Sequence, residues 1–131
     1  MRYLLDTDTC VYAIKREPRI VARLQEHSPN DFGISTVTLA ELWFGAAKSS
    51  RPKQTRQNVD AFLMPFKFLP FGSDAAEAYA DARRSLEEKG EPIGERDLLI
   101  AATAISLRLT VITHNVREFS RVPHLRFEDW R

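Results

Sequence analysis

Short apolar runs, separated by helix-length segments, constrain this chain more than any other feature. The first run, Tyr3-Leu4-Leu5, ends in Asp6 and leads directly into helix-forming sequence. Such a run reads as a buried strand that delivers Asp6 to the carboxyl edge of a sheet, where open α/β folds bind ligands. A second run, residues 32–36, ends in Ser35 and Thr36. A third covers residues 66–71, with Pro70 marking its end or a sheet edge. The fourth, residues 110–113, ends in Thr113, and residues 125–127 can add an edge strand.

The intervening segments carry helix signals. Thr7 or Asp8 can cap a first helix that runs to about residue 15. Pro18 permits a second start, with Ile20, Val21 and Leu24 at core spacing. Residues 28–31 form a turn. A third helix spans residues 37–48, and a fourth spans 53–64 and stops before Pro65. Ser73 caps a long helix to residue 89, with Gly90 as its stop. Glu95 to Leu107 is apolar on most sides and so predicts a buried helix. His114-Asn115 opens a short turn or helix to Phe119. The repeated strand–helix–helix order predicts an α/β fold with right-handed crossovers. Its central parallel sheet has four to five strands with helices on both faces.

Composition narrows the class. A chain of 131 residues, 44% apolar and 28% charged, suits a single globular domain over residues 1–131. A net charge of +1 neither demands nor excludes nucleic acid. The single cysteine, Cys10, makes no internal disulfide, and no zinc-ligand spacing is present. No run approaches a membrane span, and no signal-peptide core precedes Asp6, so a reducing cytoplasm is the expected compartment.

Four polar residues stand where apolar ones are expected: Asp6 at the end of strand 1, Glu41 inside an apolar helix, Asp97 in the first turn of the buried helix, and Asn115 just past strand 4. A parallel sheet gathers strand ends and helix starts on one edge. Three carboxylates about 5 Å apart repel by roughly 3 kcal/mol per pair at an effective dielectric of about 20. Such a cluster holds a cation or raises its pKa values. Oxygen ligands without thiolates favour Mg²⁺ or Mn²⁺, and the matching chemistry is phosphodiester hydrolysis. Spacing alone leaves plainer roles open. Asp6 and Asp8 can be helix caps, Glu41 can pair with Lys48, Asp97 can favour a helix dipole, and Asn115 can be a turn residue. Lys48, Arg51, Lys53 and Arg56 can guide phosphates or simply form a solvated helical hairpin.

Four segments, in this order, resemble a known family. They are Leu4-Leu5-Asp6-Thr7-Asp8; Ile34-Ser35-Thr36 through Glu41-Leu42; Ile93-Gly94-Glu95-Arg96-Asp97 with Ile100-Ala101-Ala102; and Thr113-His114-Asn115-Val116-Arg117-Glu118-Phe119. They look like the PIN-domain ribonucleases, and more closely the VapC toxins of bacterial toxin–antitoxin pairs. The likeness covers nearly the whole chain. It implies a PIN-like fold, Mg²⁺ (or Mn²⁺) dependence and endonucleolytic cleavage of RNA, with tRNA anticodon loops as the favoured substrate class and inhibition of translation as the outcome. It also implies a homodimer and a cognate VapB-like antitoxin that covers the site, often with an arginine near the carboxylates.

The resemblance carries the acidic positions onto Asp6, Glu41 and Asp97. The fourth position, often Asp, falls on Asn115, which adds no charge and puts a second metal in question, with Glu118 one turn on as a substitute. Asp8 stands where relatives often have Asn, which implies hydrogen bonding. Ser35, Thr36 and Thr113 are expected to orient the carboxylates. Two rival readings remain. Asp6-Thr7-Asp8 also resembles the start of a haloacid-dehalogenase-type phosphatase, although Glu41 would then have no role. Asn115 keeps open a PIN module that binds RNA or antitoxin without cutting.

Overall fold

The computed structural model describes residues 1–131. The elements are β1 (Tyr3–Leu5), α1 (Thr7–Ile14), α2 (Pro18–Gln25), β2 (Phe32–Ser35), α3 (Thr36–Ala47), α4 (Pro52–Leu63), β3 (Lys67–Leu69), α5 (Ser73–Glu88), α6 (Glu95–Leu107), β4 (Thr110–Ile112), α7 (Val116–Phe119) and β5 (Arg126–Glu128). The five strands are all parallel, in the order β3-β2-β1-β4-β5. β1 is the centre strand because it is buried on both faces, as Tyr3-Leu4-Leu5 requires. In register, Leu5 sits between Ile34 and Ile112. The chain moves outward through β2 and β3, then returns to place β4 on the far side of β1. The carboxyl ends of β1 and β4 therefore flank a topological switch point, and Asp6 follows one strand while Thr113 follows the other.

Alternation along the strands divides the core in two. Tyr3, Leu5, Phe32, Ile34 and Ile112 face a cluster with Cys10, Ala13, Ile20, Leu39, Leu42, Val59 and Leu63, on α1 to α4. Leu4 and Val111 face the opposite cluster with Ala82, Leu86, Leu98, Ile100, Ala101 and Ala104, on α5 and α6. Helices thus cover both faces, as the strand–helix–helix order predicts. The sheet approaches closely at Gly33, where a Cβ would sit 2.5 Å from Leu69 Cδ1. No helix is long and apolar enough to cross a membrane.

Local chemistry moves several boundaries. β3 keeps only three of the six expected residues, because it is an edge strand paired on one side and Pro70 has no N–H to extend it. Asp6 takes the capping role that its spacing left open, in place of Thr7 or Asp8: its carboxylate accepts from Thr9 N at 2.8 Å. α3 opens one residue early, at Thr36, with Ser35 as its cap. α5 has no side-chain cap, since Ser73 is already helical and Gly72 holds the cap position.

Candidate active site

Asp6 is fixed before any ligand arrives. It is 2% exposed, its N–H donates to Ile112 O at 3.1 Å, and one carboxylate oxygen holds the first turn of α1. Thr9 Oγ1 donates to the same Ile112 carbonyl at 2.9 Å, tying that turn to β4. Burial raises the Asp6 pKa, opposed by hydrogen bonds from the Thr113 and Thr9 side chains. Thr113 also accepts from Asn115 N at 2.9 Å, so one hydroxyl orients both the buried acid and the loop beyond β4.

Across the switch point, Asp97 stands in the first turn of α6. Asn115 Nδ2 donates to Asp97 Oδ2 at 3.1 Å and to Glu118 Oε2 at 2.9 Å. The amide faces this way because Glu118 is held as an acceptor. Asp97 is pushed up to about 7 by its burial, by Glu118 and by the charge of Asp6. Glu118 moves the other way, lowered by the proton Asp97 retains and by Asn115. The two acids titrate as a pair, with Asp97 raised and Glu118 lowered.

Glu41 lies on α3 with a different set of partners. Thr7 Oγ1 donates to its Oε1 at 2.7 Å, and Thr38 Oγ1 backs Thr7 at 3.1 Å. Arg96 Nη1 donates to its Oε2 at 2.9 Å. Lys48, the partner that helical spacing allows, is seven residues on, about 10 Å farther along the helix. Its ammonium lies 5.1 Å over the Phe44 ring. The charge of Asp6 reaches Asp97, and Asp97 and Glu118 act on each other. No three acidic, histidine or cysteine side chains converge closely enough to share one ion directly.

The expected supporting residues divide. Thr113 faces Asp6. Ser35 is engaged in capping, accepting from Val37 N at 3.0 Å. Thr36 opens α3, and the hydroxyls at Glu41 belong instead to Thr7 and Thr38. Asp8 is exposed and acts on Asp6 as a repelling charge. In the basic stretch, Lys48, Arg51 and Lys53 are exposed. Arg56 is engaged by Asp60 at 2.9 Å and stacks 3.9 Å over Trp43. The cation at the carboxylates is Arg96, which sequence reasoning missed. Fully buried Thr9 and Thr38, at 1% and 0% exposure, were missed as well. Their signal was a hydroxyl at an apolar helix position near a strand end.

The donor set fits a hard divalent cation. It offers carboxylate and amide oxygens only, and burial, Glu118 and Asp6 together raise Asp97 to about 7. Asp6 and Asp97 would be the direct ligands, with Glu41, Asn115 and Glu118 reaching an ion through its waters.

Comparison with known proteins gives the family. The PIN domain model matches residues 3–125. The chain is 39% identical to Ribonuclease VapC2 of Rickettsia felis, over 99% of this chain and 98% of the relative. It is 37% identical to the tRNA(fMet)-specific endonuclease VapC of Salmonella typhimurium, with the same coverage. The crystal structure of VapBC2 from Rickettsia felis bound to a promoter DNA fragment superposes with a TM-score of 0.94, at 38% identity and over 100% of both chains. The fold, the acid-lined switch point and these full-length likenesses place the chain in the PIN domain family, among the VapC ribonucleases.

Proposed function

We propose that this chain is the toxin of a VapBC-type pair: a Mg²⁺-dependent endoribonuclease that cuts tRNA, in the anticodon loop, and halts translation until its antitoxin binds. One observation carries the reading: Asp97 and Glu118, bridged by Asn115, stand with buried Asp6 at the switch point as an oxygen-only acidic group whose repulsion a divalent ion would relieve. A bound Mg²⁺, or Mn²⁺, would polarise a phosphate and activate a water there.

The residues divide the work. Asp6 is locked by the α1 cap and Thr113 and is a fixed ligand. Asp97 would be the second ligand, in its deprotonated form. Asn115 spans Asp97 and Glu118, keeps both acids oriented, and positions a water or the phosphate. Glu41 adds charge from α3 through a water. Attack in line with the leaving oxygen gives a 5′-phosphate and a 3′-hydroxyl. The tRNA substrate is supported by the name of the Salmonella relative, and loops present the splayed bases that proteins read. A VapB-like antitoxin is supported by the toxin–antitoxin complexes among similar structures. We take residues 1–131 as one domain, acting in the cytoplasm as a homodimer.

The test is cleavage of total tRNA by the purified protein. Discrete fragments with 5′-phosphate ends are expected in Mg²⁺ and none in EDTA. Equal cleavage in EDTA would contradict the proposal. RNA binding without cleavage in Mg²⁺ would support the inactive module, which the neutral Asn115 favours.

A further inference from the structure

Arg96 occupies a position that the proposed chemistry does not use. It is the residue before Asp97, in the first turn of α6, and its side chain is 70% exposed. Its guanidinium meets Glu41 Oε2 at 2.9 Å, while that side chain is only 20% exposed. The contact joins α3 to α6 across the mouth of the crevice. Glu41 therefore has one oxygen on a hydroxyl and the other on a cation. With one partner so exposed, the ion pair is weak and breaks easily for a better partner.

Two features make a phosphate that better partner. The guanidinium is on an exposed side chain, free to turn outward from Glu41 toward an incoming backbone. A guanidinium also binds phosphate through two parallel hydrogen bonds, a geometry that a single 2.9 Å contact to Glu41 leaves unused.

We propose that Arg96 is a positioning residue for the substrate backbone, parked on Glu41 in the metal-free enzyme. With a divalent ion held by Asp6 and Asp97, Glu41 would turn toward it and release Arg96, which would then grip a phosphate of the RNA beside the cleaved bond. Arg96 thus stands in for the metal's charge at Glu41 in the resting enzyme and for a counterion of the RNA in the loaded one. The inference rests on the metal reading of Asp6, Asp97 and Glu41.

The experiment separates the two. Mn²⁺ affinity is measured by titration calorimetry on the wild type, Arg96→Ala, Arg96→Lys and Asp6→Asn. Binding of a labelled stem–loop RNA with phosphorothioate linkages is measured with Mn²⁺ and with EDTA, across a salt series. Arg96→Ala is expected to bind Mn²⁺ several-fold more tightly, because Glu41 loses its competitor. With Mn²⁺ present it should bind RNA about tenfold more weakly, with a salt slope shallower by about one phosphate. In EDTA the RNA loss should be at most twofold, and Arg96→Lys should restore part of the affinity but not the tenfold. Unchanged Mn²⁺ affinity, or an RNA loss equal in EDTA and Mn²⁺, overturns the proposal. Asp6→Asn that binds Mn²⁺ like the wild type overturns the metal reading itself.

Discussion

Asn115 Nδ2 donates to Asp97 Oδ2 at 3.1 Å and so supplies a neutral brace where close repulsion would otherwise build. An aspartate at 115 would replace two donated hydrogen bonds with a further charge. Asn115→Asp is therefore expected to raise divalent affinity by about tenfold and to lower metal-free stability by about 1–2 kcal/mol. Calorimetric Mn²⁺ titration and urea unfolding in EDTA check the two effects.

Asp6 can be tested without disturbing the fold. Asn at position 6 still caps α1, since its side-chain oxygen can accept from Thr9 N. Asp6→Asn is expected to lose RNA cleavage by more than about a hundredfold, because supporting partners of metal ligands alone account for 10–100-fold. Its thermal midpoint in EDTA should match or exceed the wild type, since an ionisable buried acid is gone. Cleavage at the normal rate counts against the ligand role.

The raised acids give the metal-free protein an inverted pH response. Asp97 titrates near 7 when folded and near 3.8 when free, so the folded state holds its proton more tightly. That contribution to stability is complete below about 3.8 and is lost as pH rises through about 7. Asp6 shifts in the same direction. In EDTA, unfolding at pH 5.5 should lie above that at pH 8 by on the order of 1 kcal/mol after solvent screening, about 2–4 °C. Mg²⁺ at pH 8 should close the gap, and Asp97→Asn should flatten it.

The parts of this molecule legible in sequence are those fixed by short-range pattern. Tyr3-Leu4-Leu5 reads as a centre strand because an extended run that is apolar on both faces must be covered on both, and β1 is central. Asp6, Asp97 and Asn115 read as neighbours because strand ends and helix starts share an edge. Partnerships set by side-chain reach were not legible. The Glu41–Arg96 pair joins residues 55 apart, and its geometry depends on how α3 lies against α6. Thr38 and Thr7 displaced Thr36 for the same reason: a helix presents residues by angle, and one position moves the hydroxyl by about 100°. The cap of α1 falls on Asp6 rather than on its neighbours because a strand-end acid can serve as ligand or as cap, and Asp6 is placed to be both.

Gly33 tests the sheet independently of the site. A Cβ there would meet Leu69 Cδ1 at 2.5 Å and Met1 Sδ at 2.8 Å, and Leu69 is 6% exposed, so it has little room to move. Gly33→Ala is expected to lower stability by about 1–3 kcal/mol by overpacking. Urea unfolding should show a lower midpoint at unchanged slope, and cleavage per folded molecule should be retained.

In the proposed function, Asp6 and Asp97 share a divalent ion at the switch point between β1 and β4. Crystals grown at pH 8 with Mn²⁺ and measured at a wavelength where manganese scatters anomalously test it directly. One anomalous peak in contact with both carboxylates is predicted, with Arg96 released from Glu41. A peak that touches neither acid, or none at saturating Mn²⁺, would contradict the claim.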